Sequence, residues 1–404
     1  MNSRTALFSL LLVTSFLAIG WGNDSASSTS TSQPQSSDND NFLPKSAQVL
    51  GVDIQATANV PDVIQHAAKI LDQYPDNNEE DAEDTLLVAS GGQVLQEVLA
   101  ANTGYKIGFT SQENIFIMNP DGTDVTQLTA ADGPAGYVSW GPQGQYIYYA
   151  ASHAAPGAAW EAYRVDVESG EATQLTEFGN DVRSLGVSPD GLTLAISVMS
   201  GNSNIGNNND NLTQFHTDLY VIEMIIAELI WAKGGKLRLE HLTKLVSSPA
   251  EEQFWYEELN WNPVIPTDGN APILAYTKTY RYDDDANSYT HAYTIRADGT
   301  EQTLLAENQD APIWDFTGTR LGFLGMQYYD FTTNSIAAIS VQGITREVAG
   351  PAFSPDGNFV LFEVGDENRQ AGIARFAKGT VSTGVVLDVQ NVYEPRWSPV
   401  GFDD

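Results

Sequence analysis

The residues of this chain best suited to chemistry are aromatics set beside carboxylates: Trp160, Phe254, Trp255, Tyr280, Tyr282, Tyr328 and Tyr329, with Asp283, Asp284, Asp285 and Asp330. Rings give contact area at low conformational cost, and carboxylates orient polar ligands, so the combination suits recognition of a peptide or a sugar. The competing reading is that half of these rings pack on adjacent loops, because folded chains expose much apolar surface in any case. The run RYDDDANS from Arg281 has Asp283, Asp285 and Asn287 at the odd spacing of a calcium loop. It carries Ser288 and Thr294 where that loop needs glycine and glutamate. Five histidines (His66, His153, His216, His241, His291) are scattered, with His153 and His216 in loops expected on one face. No cofactor is therefore expected, and a divalent cation such as calcium is the one left open. The sequence has no G-x-S-x-G elbow, no H-E-x-x-H and no phosphate-cradling glycine loop, so no catalytic residue is assigned and a non-enzyme is expected.

What must position these residues is an internal repeat. From Gly350 the chain reads GPAFSPDGNFVLFEV: a strand ending in an aromatic, a Ser-Pro-Asp-Gly turn, and a strand of alternating apolar residues. Proline presets the turn's φ and glycine accepts the positive φ at its exit. Equivalent first strands end at Trp140, Val187, Trp261, Trp314, Phe353 and Trp397. Equivalent second strands carry the pairs Ile107/Phe109, Ile147/Tyr149, Leu194/Ile196, Leu274/Tyr276, Leu321/Phe323 and Val360/Phe362. Third strands are expected at Ile115–Met118, Ala162–Val167, Leu219–Glu223, Ala292–Ile295, Ile336–Val341 and Gly372–Phe376. Units of about 40 residues with four strands each are propeller blades. The first copy begins at its second strand and the last ends after its first, so the two should complete one blade and close the ring. The expected fold is all-β, a six-bladed β-propeller closed by N- and C-terminal strands and preceded by a small, mainly helical N-terminal subdomain. The long loops after the second strands, among them 151–160, 199–217, 279–288, 327–334 and 365–370, then share one face, where the aromatics above collect.

The chain has 404 residues, 52 Asp plus Glu against 19 Lys plus Arg, a net charge of −33 and no cysteine. Such a charge repels phosphate backbones and anionic lipid, so nucleic acid is excluded as a partner. Disulfides and thiolate metal sites are excluded as well. Met1 to Gly22 carries an early Arg4, an apolar run from Ala6 to Ile19 and small residues near Gly20, the pattern of a secretory signal peptide. The run is short for a membrane span, so no stable membrane insertion of the mature chain is expected. Expected domains are a signal peptide (1–22), a disordered Ser/Thr/Asn-rich linker (23–41), a small N-terminal subdomain (42–103) and the propeller (104–404). A helix is expected near Val63–Tyr74, with Leu86–Ala89 a candidate strand and Val94–Ala100 a short helix.

FSPDG at Phe353, VSPDG at Val187, WSPVG at Trp397 and IFIMNPDG at Ile115 resemble the TolB-type, WD-like propeller repeats of exported bacterial proteins. The resemblance covers about three quarters of the chain and rests on turn glycines and packing aromatics. TolB proteins are periplasmic accessories of the Tol-Pal envelope system and bind partners through the propeller. The resemblance thus implies an exported scaffold, periplasmic or secreted, that binds an envelope or extracellular protein or peptide, with a monomer favoured. One departure is that the segment from Phe42 to Thr103 is shorter and more helical than the TolB N-terminal domain. The alternative is a carbohydrate-binding or carbohydrate-active propeller, a lyase or glycosidase with paired carboxylates at its centre.

Overall fold

The six apolar pairs of the second strands seed the sheets. The computed structural model describes residues 93–130, 133–154, 157–199, 216–246, 253–281, 288–365, 369–376 and 381–402. In it, every member of those pairs is 0% exposed. A strand is buried on both faces only when layers cover it from each side, and here the neighbouring blades do so. The described residues form six sheets, five of four strands and one of five. Their first strands are Ala135–Trp140, Val182–Val187, Gln253–Trp261, Ile313–Trp314, Val348–Phe353 and Tyr393–Trp397. Each touches the next, and the sixth touches the first, which is a closed ring.

Closure is direct. The strand Ile107–Ser111 pairs antiparallel with Tyr393–Trp397, Ile107 opposite Trp397 and Gly108 opposite Arg396. The lock extends past the strands, with Ser398 N donating to Lys106 O at 2.8 Å and Phe402 N to Gly104 O at 2.7 Å. The Ser-Pro-Asp-Gly turns are tied by their serines: the Ser188 hydroxyl donates to Asp190 and accepts from Thr193 N at 2.9 Å. Ser354 repeats this with Asp356 and Phe359 N.

The fourth blade departs from the expected layout. Gln327–Asp330 is its third strand, pairing with Arg320–Phe323, and Ser335–Ala338 is its fourth. The segment 327–334 is therefore no long loop, and Ile336–Val341 is no third strand. The chain turns in three residues at Met326, whose φ is 53°, and no glycine-aspartate turn marks the corner. Ser340–Gln342 then crosses to the fifth blade and pairs parallel with the start of Val381–Gln390.

Two helices accompany the described sheets. Residues 93–101 are helical, as expected around Val94–Ala100, and bury Val94 and Val98 against Phe359, Leu361 and Ile373. The insertion in the second blade is the helix Met224–Ala232, whose Trp231 Nε1 donates to Leu175 O at 3.0 Å. All described residues lie in one compact unit, Asp53–Asp404. The expected signal peptide, linker, helix at Val63–Tyr74 and strand at Leu86–Ala89 fall outside the described residues.

Candidate functional site

The first strands line the axis, and each is interrupted at one repeated place. Three residues before its terminal Trp, Phe or Val stand Tyr137, Ser184, Glu258, Ala311, Gly350 and Glu394. Five of these have positive φ: Tyr137 60°, Glu258 55°, Ala311 49°, Gly350 68° and Glu394 52°. Ladder registers slip beside four of them. A bulge of this kind re-aims a side chain, and a non-glycine residue in that region costs on the order of 1 kcal/mol unless its surroundings hold it there.

Neighbouring blades do the holding. Glu394 of the sixth blade accepts from Tyr137 N at 2.6 Å, and Glu258 of the third accepts from Ala311 N at 2.7 Å and the Thr277 hydroxyl at 2.8 Å. Ser184 Oγ accepts from Leu259 N at 2.9 Å, and Glu363 accepts from Glu394 N at 2.8 Å. Three of the four strand-ending tryptophans add a second staple, the indole N–H reaching a carbonyl of the preceding blade. Trp140 reaches Arg396 O at 3.1 Å, Trp261 Gly186 O at 2.9 Å, and Trp397 Ala352 O at 3.2 Å. The Trp314 N–H is buried without such a partner.

Two cavities result. A central one of about 540 Å³ is walled by all six first strands. A second, of about 600 Å³, opens at one end and is bounded by Thr110, Glu113, Trp160 and Asn391, among others. Tyr137, Arg369 and Glu394 border both, and so form the neck between mouth and channel. Trp160 meets Tyr137 edge-on at 6.1 Å, while the Arg369 guanidinium lies 5.5 Å over the Tyr393 ring and is paired with Glu363.

The wall is chemically two-sided. Ala311, Ile313, Gly350, Ala352 and Phe353 make one side apolar. On the other, burial pushes the Glu394 carboxyl up, against Arg396 and the amides of Tyr137 and Val138, with Glu363 pushing the same way as burial. Glu258 is raised well above the ordinary carboxylate range, first by burial and then by Asp310, which shares the Ala311 amide with it. Next along the strand and off the channel lining, Glu257 is raised by burial, opposed by Arg183. The Tyr137 phenol is raised by burial and by Glu257. Carboxyls raised by burial and facing an apolar wall can grip an elongated ligand that is cationic on one flank and apolar on the other.

Of the residues singled out in the sequence, Trp160 borders the mouth. Trp255 is half-buried at the start of the third blade's first strand, and Phe254 pairs through its backbone with Tyr280. Tyr280 is half-buried, its hydroxyl 2.7 Å from His291 Nε2. Tyr328 is 1% exposed, wedged edge-on to Phe353 and Phe376, so it faces the core and no partner. Tyr329 bonds Asn334 on the fourth blade, and Asp330 is buried, capping Thr332 N at 2.8 Å. Tyr282, Asp283, Asp284 and Asp285 lie outside the described residues. His153 sits beside the stacked pair Tyr149 and Tyr163, and burial lowers its pKa. Among the described residues no group of three His, Asp or Glu side chains could hold a metal ion.

Tyr137, Glu258, Arg369 and Glu394 were missed because nothing in their letters marks them. For Tyr137, Glu258 and Glu394 the available signal was positional, since aligning the six strand-ending residues and stepping back three reaches the ring of bulges, whereas Arg369 had no such signal.

No protein-family model matches the sequence, and no curated protein matches it. Among solved structures, TolB from Acinetobacter baumannii is 15% identical over 79% of this chain and 71% of its own, with a TM-score of 0.49. A structure described as a TolB of Agrobacterium tumefaciens is 14% identical over 70% and 88%, with a TM-score of 0.44. Kuenenia stuttgartiensis hydrazine synthase is 11% identical over 74% of this chain and 47% of that one, with a TM-score of 0.55. At such identities likeness speaks to architecture alone, and that the described residues form a six-bladed β-propeller rests on their own six sheets.

Proposed function

We propose that the protein is an exported, non-catalytic scaffold that binds a segment of an envelope or extracellular protein at the mouth of its channel. The observation that carries this reading is the mouth cavity itself, where Trp160, Tyr137 and Tyr393 surround Arg369 and Glu394 above a channel apolar on one side and carboxyl-rich on the other. Rigid aromatics beside an arginine, here Arg369 paired with the buried Glu363, are a composition common to binding hot spots. Export rests on the Met1–Gly22 pattern. Among the described residues no helix is long and apolar enough to cross a membrane. The test is quantitative recovery of an envelope partner by wild type, Trp160→Ala, Arg369→Ala and a rim control, Leu229→Ala. Loss of at least tenfold in the first two variants alone is expected, and equal recovery by all four sinks the site.

One observation favours a second reading. Glu258, raised by burial and set against Asp310, has the character of a proton donor, as a glycan-cleaving propeller would need. Sugar release from polysaccharide that disappears in Glu258→Gln would install that reading in place of the first.

A further inference from the structure

A sheet edge offers unpaired backbone groups to any strand that can reach them, and folded proteins defend such edges with charge, brevity or cover. Five of the six outer edges here are defended. The sixth blade's edge, Thr126–Gln127, is two residues long, and the first blade's, Ala172–Gln174, is three and follows Glu171. The second blade's edge carries Lys244, and the third blade's ends in Glu307. In the fifth blade Val381–Gln390 is covered by Ser340–Gln342.

The fourth blade's edge, Ser335–Ala338, has none of these defences. Among the described residues it closes its sheet with no strand beyond it. It lies in the run Phe331–Thr345, FTTNSIAAISVQGIT, which holds no charged residue in a chain of net charge −33. Ile336 is 44% exposed and Phe331 40%. Ile339 N donates inward to Met326 O at 2.8 Å. By antiparallel alternation Ala337 and Ser335 also turn inward, so Ile336 and Ala338 turn their N–H and C=O groups out.

The charge pattern selects the occupant. A cationic partner would be served better by the acidic surface found elsewhere, whereas a neutral island in a strongly acidic molecule suits an occupant that is itself strongly acidic. We propose that this edge pairs antiparallel with the same edge of a second copy of the chain. In that register Ile336 lies opposite Ala338 of the other copy, and the reverse, giving four backbone hydrogen bonds. Ala337 meets Ala337 at the non-hydrogen-bonded position, where Cα atoms approach to about 4.5 Å and a small side chain fits. The blade becomes half of a continuous eight-stranded sheet with twofold symmetry. This replaces the monomer expected from sequence and is independent of the channel.

The absence of cysteine makes the register testable, because a single introduced thiol can pair only with itself. Ala337→Cys brings Cα atoms within the span of a disulfide. Under mild oxidation it should form a covalent dimer at least tenfold faster than Leu229→Cys, an exposed control on the rim helix. In sedimentation, the unmodified chain should show twice the mass of one copy. The dimer should strengthen as salt rises, because the screening length falls from about 10 Å at 0.1 M to about 3 Å at 1 M. Ile336→Lys should sediment as a single copy. A wild type that stays single up to 1 M salt, a dimer indifferent to Ile336→Lys, or equal cross-linking of the two cysteine variants would each overturn the proposal.

Discussion

Glu258 concentrates the tension of the channel in one side chain. It holds a left-handed φ of 55°, accepts the Ala311 amide that stitches the third blade to the fourth, and lies close to Asp310 and Glu257 in the channel wall. Its folded pKa lies above the ordinary 4.5. Below that ordinary value it is protonated whether folded or unfolded and costs nothing. As pH rises through the folded pKa, ionisation is penalised only in the fold, and stability is lost. Glu258→Gln keeps an oxygen for the amide and removes the charge. Its stability relative to wild type should be near parity at pH 4 and should grow to a gain on the order of 1 kcal/mol by pH 8, read by urea denaturation across pH. A constant offset at every pH would refute the assignment. None of this was legible in the sequence, where Glu257-Glu258 is one acidic pair among many; what distinguishes it is the positive φ of a bulge.

At the level of the blade, tryptophan is both a packing ring and a strap. Trp261 ties its blade to the preceding one through Gly186 O, whereas Trp314, in the equivalent place, has no acceptor for its buried N–H. Removing only the N–H should therefore separate them. Trp261→Phe strands a buried carbonyl and should cost about 1–3 kcal/mol more than Trp314→Phe in guanidinium unfolding. These elements were also the legible part of the chain. The second-strand pairs could be read because alternation and complete burial coincide, and the Ser-Pro-Asp-Gly corners because the turn's φ values demand those residues. The fourth blade misled because its third strand, QYYD, is half polar and enters from a three-residue corner, Leu324-Gly325-Met326, that lacks the Pro-Asp-Gly signature of the other turns. The mouth was only partly legible: Trp160 stands out as a loop aromatic, but Tyr328 has the same letter class and points into the core.

For the whole molecule, the ring is completed by a strand that arrives last. The Tyr393–Trp397 strand supplies the inner wall of the sixth blade, including Glu394 and the Trp397 staple to Ala352. Deleting residues 393–404 exposes the edge at Ile107–Ser111 and opens two interfaces at once. The shortened chain should lose its sharp thermal transition by circular dichroism, and a sharp transition at the parent temperature would contradict the closure. The same pairing has a mechanical side. Gly104 and Phe402 are hydrogen-bonded to each other at one end of the Ile107–Trp397 ladder. A pull on the two tails would load those bonds one after another from that end, as a zipper is opened, and would never shear them together. The ring thus has a seam that opens toward the end where both tails leave it, and whatever is fused to both tails holds the tab.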